Sequence, residues 1–213
     1  MGRRRKHITK KAPTRGDATC RYNASSYMAP FWNNVTSGSL TAAMTSTVTA
    51  WPTFPGNVAQ YTSVANNAEL QAISNCTLEV WVKYSAVGGH QCIFGKWAHF
   101  GGITSTGTDL TFYDPGGTAT RSTGFVLGNG TWYHIALCCT NGAPGSATAY
   151  VNGTAVVTAA WTKATTYTFG LIVGQFPGFW PLNGLVDEAR LYSRALSLDE
   201  VKRNYYAGLG RHQ

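Results

Sequence analysis

Acidic side chains are scarce in this sequence of 213 residues, which has nine aspartates and glutamates against 17 lysines and arginines. Glycoside hydrolysis needs two carboxylates about 5 to 10 Å apart across one bond. Glu79 is the natural candidate for one of these two carboxylates. A second acid on the same face of its strand would stand two or four residues further on, but these positions hold Trp81 and Lys83. No acid pair forms there, and we predict that the protein is not an enzyme.

A second pair of acids, Asp187 and Glu188, is adjacent in sequence. Neighbouring residues of a strand point to opposite faces, which would separate these two carboxylates. We predict that one of them forms a structural ion pair with Arg190 or Arg194.

Long apolar runs are also absent. No stretch of about 18 or more apolar residues occurs, so the sequence predicts no membrane-spanning helix and no membrane partner. The amino-terminal residues are charged but lack the apolar run of about 7 to 15 residues that a secretory signal contains. We therefore expect synthesis in the cytosol without a signal peptide.

The cysteines are odd in number and form no C-x-x-C pair, which argues against a full disulfide framework and against a zinc site. A single disulfide is left open. Free cysteines are among the most buried residues in proteins, so we interpret these as small core side chains of a protein assembled in a reducing compartment. The five are Cys20, Cys76, Cys92, Cys138 and Cys139.

The net charge of +8 is concentrated at one end of the chain. Residues 1–16 hold seven basic side chains and no acid, which leaves ten bases against nine acids in the remainder. A contact with nucleic acid or an acidic surface therefore belongs to this arm and not to the folded body. The residues assigned to polyanion binding or assembly are Arg3, Arg4, Arg5, Lys6, Lys10 and Lys11.

Residues typical of short strands and turns are abundant, including 24 glycines and many threonines and serines. Residues 76–83 alternate with the period of a half-buried strand, in which Cys76, Leu78, Val80 and Val82 face inward. Residues 132–139 are apolar on both faces, as in a central strand. Asn152-Gly153 predicts a type I′ hairpin turn. The pattern indicates an all-β protein.

One short helix is predicted near the carboxyl end. Ser197 and Glu200 have the spacing of a capping box, and the helix is expected to run to about Tyr206 and to stop at Gly208. The side chains expected to dock it on the sheet edge are Leu198, Val201 and Tyr205.

The order of motifs resembles the laminin-G-like jelly roll of the concanavalin A-like lectin and glucanase superfamily. The resemblance covers residues 60–205 and leaves residues 1–55 outside. It implies a two-sheet antiparallel jelly-roll sandwich but selects no function within that superfamily. The matching blocks are Thr77-Leu-Glu-Val-Trp-Val-Lys83, Ile93-Phe-Gly-Lys96, Gly130-Thr-Trp-Tyr-His-Ile-Ala136, Ala149-Tyr-Val-Asn-Gly153, Leu171-Ile-Val-Gly174 and residues 182–201.

Three zones follow from these observations. Residues 1–16 form the basic arm, and residues 17–59 form an extended Thr/Ser/Pro-rich lead that we expect to join the sandwich in part. Residues 60–213 form the laminin-G-like jelly-roll domain.

Two aromatic segments are candidates for contact with a glycan or a protein partner, because sugars stack their C–H faces on aromatic rings. Proline and glycine interrupt residues 176–181, which predicts a loop carrying Phe176, Phe179 and Trp180. Trp97 and Phe100 form the second candidate. An equally weighted alternative is that these rings close the end of the sandwich or pack on a subunit.

Other chemistry has weaker signals. Asp109, Asp114 and Asn183 offer oxygens to a calcium ion, although Asp114 fits a simple turn better. We expect no other cofactor. His134 lies within a predicted strand, where we interpret it as a partly buried histidine with its hydrogen bonds satisfied.

The sequence therefore favours a lectin-like recognition and assembly protein. Its partners would be other subunits of an assembly, with the basic arm anchoring it to a large particle such as a virion. A free carbohydrate-binding module and a glucanase-like glycoside hydrolase are the alternatives.

Overall fold

The computed structural model describes residues 20–21, 53–55, 62–96, 99–113, 120–164, 168–176 and 180–213, the first two ranges by backbone alone. The basic arm and most of the lead therefore lie outside the described residues. The elements, in chain order, are β1 (Cys20–Arg21), β2 (Thr53–Pro55), β3 (Thr62–Val64), α1 (Ala68–Ala72), β4 (Cys76–Tyr84), β5 (His90–Lys96), β6 (Gly101–Thr106), β7 (Asp109–Tyr113), β8 (Thr120–Val126), β9 (Trp132–Thr140), β10 (Ser146–Val151), β11 (Thr154–Ala160), β12 (Leu171–Val173), β13 (Asn183–Tyr192) and α2 (Leu198–Leu209).

These strands form two antiparallel sheets. The larger sheet has the order β1-β13-β4-β9-β10-β11, and β2 also pairs with β13. The smaller sheet has the order β3-β12-β5-β6-β7-β8. The predicted all-β jelly-roll sandwich with one short carboxyl-terminal helix is confirmed, and two short strands of the lead pair with β13.

The main core lies between the sheets and collects the inward faces of the strands. Cys76, Leu78, Val80 and Val82 are fully buried there, as the alternation predicted. The opposite face of β4 was expected to be exposed, but Trp81 is buried too. The prediction of a half-buried strand was wrong because α2 covers this outer face.

Helix α2 begins as predicted, with Ser197 accepting a hydrogen bond from the Glu200 amide while the Glu200 carboxylate accepts one from the Ser197 amide. It ends three residues later than Tyr206, and Gly208 lies inside it. Gly208 is the point of closest approach to the sheet, because a Cβ there would lie 2.5 Å from Trp81 Nε1. The helix thus packs on a sheet face and not on an edge.

Of the three residues predicted to dock α2 on the sheet, two do so and one does not. Val201 is buried, and the ring of Tyr205 stacks on Trp81 with centroids 5.8 Å apart. Leu198 is 41% exposed and does not dock. In the part of the chain that is described, no helix is long and apolar enough to span a bilayer.

The hairpin turn at Asn152-Gly153 is confirmed, and so is the burial of the cysteines whose side chains are described. Asn152 and Gly153 have φ values of 50° and 76° and connect β10 to β11, as a turn with left-handed residues requires. Cys138 and Cys139 point to opposite sides of β9, where Cys139 joins the main core and Cys138 joins a second cluster beneath α2. The four cysteines whose side chains are described are buried thiols.

Candidate functional site

The described residues of the predicted aromatic loop, Phe176 and Trp180, lie beside β5 on the smaller sheet. In β12, the side chains of Leu171 and Val173 belong to the main core. Ile172 lies between them, so its side chain points to the outer face of the smaller sheet. There it meets Cys92 and Phe176 in a separate apolar cluster, against which Trp180 packs. The backbone is fixed by a hydrogen bond from the Cys92 amide to the Trp180 carbonyl, at 2.8 Å.

Phe176 forms the buried base of this cluster and is 1% exposed. Gly102 makes room for it, since a Cβ at Gly102 would lie 3.1 Å from the Phe176 ring. The ring packs against Trp180 at 6.0 Å and Tyr113 at 6.5 Å between centroids. The prediction that Phe176 contacts a ligand directly is therefore corrected, because the ring supports other rings and presents almost no surface.

Trp180 is the partly exposed member of the predicted set. Its indole stacks on the exposed His90 imidazole, with centroids 5.1 Å apart and planes 24° apart, and meets the Tyr113 ring at 5.2 Å. Its φ of 54° lies in the left-handed region, which is a genuine outlier for a bulky side chain. Such backbone strain clusters at binding sites. We call Trp180, His90 and Tyr113 the aromatic platform.

A shallow depression of about 280 Å³ adjoins the platform. Its wall is braced by Gln91, whose amide donates to the carbonyls of Ala86 at 2.8 Å and Gly88 at 3.0 Å and accepts from the Asn183 amide at 2.7 Å. His90 is held by a 3.0 Å hydrogen bond between its Nδ1 and Thr106 Oγ1. The described residues that line the depression include no lysine, arginine or carboxylate, and they are Ala86, Val87, Gly88, His90, Gln91, Pro181 and Asn183.

Of the second predicted aromatic group, only Phe100 lies within the described residues. Phe100 is fully buried in the main core, and its carbonyl accepts a hydrogen bond from Trp161 Nε1. The prediction that Phe100 binds a ligand was wrong, because the ring has no surface to offer. Trp97 and Phe179 lie outside the described residues.

Glu79, the candidate acid, lies beneath α2 in a closed hydrogen-bond network. Its carboxylate accepts from His134 Nε2 at 2.7 Å, Tyr192 Oη at 2.9 Å and Asn204 Nδ2 at 3.1 Å. Burial alone would raise the pKa of Glu79, but the hydrogen bond from His134 and the charge of Arg190 outweigh it and lower the pKa to about 2. A carboxylate that is buried and ionised in this way is poorly suited to deliver a proton to a substrate.

Asp187 and Glu188 both contact residues that follow α2. Asp187 Oδ2 lies 3.0 Å from His212 Nε2, and Glu188 forms ion pairs with Arg190 and Arg211. The predicted pair with Arg190 is confirmed. The expectation of opposite orientations was wrong, because a φ of 53° at Glu188 and a register shift against β4 break the alternation of the strand.

Arg194 and His134 complete the account of the predicted polar residues. Arg194 pairs with Glu200 at 2.8 Å instead of with either strand acid. His134 is fully buried, more than expected. The prediction that its hydrogen bonds are satisfied holds at Nε2, which binds Glu79, but was wrong at Nδ1, which has no partner among the described residues.

The three residues predicted to offer oxygens to a calcium ion are described only in part. Asp109 begins β7 of the smaller sheet, Asn183 begins β13 of the larger sheet, and Asp114 lies outside the described residues. Within the described ranges, no group of three or more histidine, cysteine, aspartate or glutamate side chains could hold a metal ion.

Sequence reasoning missed His90 and Tyr113 as members of the platform. His90 stands about 90 positions from Trp180 along the chain, and no local motif joins them. The pairing of β12 with β5 and the hydrogen bond from the Cys92 amide to the Trp180 carbonyl bring the two segments together.

Comparison with known proteins supports the fold. A family model described as "Concanavalin A-like lectin/glucanases superfamily" matches residues 55–202. No curated protein matches the sequence.

Several solved structures are similar to this chain at low identity. The binding domain of Paraclostridial Mosquitocidal Protein 1 has 15% identity and a TM-score of 0.63, over 90% of this chain and 52% of that one. A heptameric SAP-like pentraxin from Limulus polyphemus has 15% identity and a TM-score of 0.54, over 70% and 78%. A Trypanosoma rangeli sialidase has 17% identity and a TM-score of 0.58, over 72% of this chain but only 27% of the sialidase. At these identities the likeness shows the fold alone.

Proposed function

Because the chain belongs to the concanavalin A-like lectin/glucanases superfamily, we propose that it is a non-enzymatic, lectin-like recognition domain that binds carbohydrate on the aromatic platform. The observation that carries the proposal is Trp180, a partly exposed indole held between His90 and Tyr113 on a strained backbone. A ring fixed in this way can contact a sugar without first losing conformational freedom.

The depression beside the platform fits the polar side of a sugar. The carbonyl oxygens of Ala86 and Gly88 each accept one hydrogen bond from Gln91 and keep a second lone pair for a sugar hydroxyl. The imidazole of His90 lies in the same lining. Among the described residues, the lining contains no lysine, arginine, aspartate or glutamate, so we propose a neutral sugar face as the ligand.

The carboxylates argue against hydrolysis. Glu79 and Asp187 are fully buried beneath α2 and its following residues, and the depression is lined by no acid. Among the described residues, no two carboxylates face a common groove on the smaller sheet.

A glycan array followed by titration calorimetry tests the proposal. We expect Trp180→Ala to weaken binding at least about tenfold, which is about 1.4 kcal/mol, while Trp180→Phe retains part of the affinity. Tyr206→Ala is the matched control, because it removes another exposed ring, 66% exposed on α2, far from the proposed contact. Unchanged affinity in folded Trp180→Ala, or hydrolysis of an array glycan by the wild type, would contradict the proposal.

We also propose that the basic arm attaches this domain to a polyanionic or acidic component of a larger particle, such as a virion. The support is the position of the charge, with seven basic and no acidic side chains in residues 1–16. Heparin serves as the polyanion probe. The full chain should elute at a salt concentration well above that of a variant lacking residues 1–16, because each phosphate- or sulfate-like contact releases counterions. Equal elution of the two proteins would remove this role from the arm.

A further inference from the structure

The depression beside the aromatic platform has an apolar wall. Ala86, Val87 and Pro181 supply it, and all three are partly buried, so each keeps some surface open to a ligand. Val87 also packs against the main core, which holds the wall in place. The hydroxyl groups of a plain hexose would lose contact with water against such a wall, at a cost in free energy. The wall therefore favours an apolar substituent on the sugar.

The backbone amides around this wall are already hydrogen bonded. The Ala86 amide donates to the Asn183 carbonyl at 3.4 Å, and the Val87 amide donates to Asn129 Oδ1 at 2.7 Å. The Asn183 amide donates to Gln91 Oε1 at 2.7 Å. Because each backbone amide carries one hydrogen, these three have none left for a ligand.

The carbonyl groups of the same segment have capacity left. Ala86 and Gly88 each accept one hydrogen bond from the Gln91 side chain, at 2.8 and 3.0 Å. These two bonds use both hydrogens of the Gln91 amide, whereas each carbonyl oxygen keeps a second lone pair. This side of the depression therefore favours a ligand group that donates a hydrogen bond and carries an apolar atom next to the donor.

The platform and the depression are continuous. Pro181 follows Trp180 directly in the chain, and His90 belongs both to the platform and to the lining of the depression. A sugar ring in contact with Trp180 can therefore place one of its substituents in the depression.

We propose that the depression binds the acetamido group of an N-acetylhexosamine whose ring contacts Trp180. The acetamido N–H donates to the carbonyl of Ala86 or Gly88. Its methyl group lies against Val87 and Pro181, and its oxygen stays hydrated because the depression is shallow. This assignment rests on the carbohydrate binding proposed for the aromatic platform, and it narrows the ligand from any neutral sugar face to one class of sugar.

Titration calorimetry with two matched pairs of sugars tests the assignment. Methyl glycosides of N-acetylglucosamine and glucose form one pair, and those of N-acetylgalactosamine and galactose form the other, so each pair differs only in acetamido against hydroxyl. We expect the acetamido sugar of at least one pair to bind at least about tenfold more tightly than its match. Burial of one methyl group contributes about fourfold, and one hydrogen bond contributes the rest.

A substitution in the apolar wall provides the second measurement. Val87→Ala removes two methyl groups and should weaken binding of the preferred acetamido sugar by at least about threefold, while binding of its hydroxyl match changes by less than about twofold. Val126→Ala is the matched control and should change neither, since Val126 is 70% exposed on β8 and is not among the described lining residues. Circular dichroism of both variants separates loss of the wall from loss of the fold.

The outcomes separate the acetamido site from carbohydrate binding itself. Equal affinity within both pairs, with binding still lost in Trp180→Ala, would overturn the acetamido site and leave carbohydrate binding in place. An unchanged preference for the acetamido sugar in folded Val87→Ala would also overturn it. If no glycan binds, on the array or in solution, carbohydrate binding at the platform fails and the acetamido site fails with it.

Discussion

The imidazole of His212 lies parallel to the indole of Trp81, with ring centroids 4.1 Å apart and planes 8° apart. Each nitrogen of His212 also lies within hydrogen-bonding distance of an oxygen, the Gly208 carbonyl at 2.8 Å for Nδ1 and Asp187 Oδ2 at 3.0 Å for Nε2. This stack fixes the end of α2 against the outer face of the larger sheet. The close approach of helix and sheet therefore depends on a few contacts around Trp81.

The close approach of α2 to Trp81 can be tested by substitution of Gly208. A Cβ at Gly208 would lie 2.5 to 2.8 Å from three atoms of the Trp81 ring, so we expect Gly208→Ala to destabilise the fold by about 1 to 3 kcal/mol. Urea unfolding followed by tryptophan fluorescence measures it. Gly210→Ala is the control, because a Cβ there meets nothing within 4 Å and its φ of −67° suits alanine. Equal stability of both variants would refute the close approach.

The buried carboxylate of Glu79 predicts a dependence of stability on pH. Its pKa is lowered in the folded state from 4.5 to about 2, so its contribution is present above pH 4.5 and is lost as the pH falls toward 2. The size is about 3 kcal/mol in the free energy of unfolding. Unfolding by urea between pH 7 and pH 2 should show this loss.

Glu79→Gln provides the comparison for that measurement. The variant should be less stable at pH 7, and its stability should vary less with pH, since the titrating group is gone. Glu200, whose pKa is also lowered to about 2 by Arg194 and the Ser197 amide, keeps a smaller contribution because it is more exposed to solvent. Parallel pH profiles for wild type and variant would contradict the role assigned to Glu79.

The capping box at the start of α2 predicts a smaller effect. Ser197→Ala removes the side-chain acceptor for the Glu200 amide and should cost about 1 kcal/mol of stability. Ser197→Thr should restore most of it, since threonine offers the same hydroxyl. Thermal unfolding by calorimetry distinguishes the two, and equal melting temperatures for alanine and threonine would argue against the cap.

The buried thiols predict slow chemical modification. Burial raises the pKa of Cys138 to about 11 and the pKa values of Cys92 and Cys139 well above their usual range, so these thiols stay protonated near neutral pH. With Ellman's reagent at pH 8, at most one thiol per native chain should react quickly, and five should react after unfolding in guanidinium. Cys20→Ser should remove any fast reaction; a fast reaction that persists would place another thiol at the surface.

Much of the fold follows from local sequence. The alternation of residues 76–83 identified the inward face of β4, Asn152-Gly153 identified a hairpin, and Ser197 identified the start of α2. In each case the determining interactions are between near neighbours in the chain, or between a strand and a core that any sandwich must have.

The outer faces could not be predicted in this way. Whether Trp81 is exposed depends on where α2 docks, and that depends on Gly208, more than 120 positions away. The aromatic platform could not be predicted for the same reason. Trp180 becomes part of a candidate site only because the fold places it beside His90, which is distant in the sequence. Phe100 and Phe176 show the reverse error, because a ring in a loop-like sequence gives no sign of whether it is buried.

Covering the larger sheet with α2 gives the molecule one closed side. A catalytic acid could reach a substrate from Glu79 only if twelve residues of helix and the stacked His212 first moved away. New activities introduced by mutation should therefore be sought around Trp180 on the smaller sheet, where a carboxylate added to the rim of the depression would face solvent and substrate without unfolding anything.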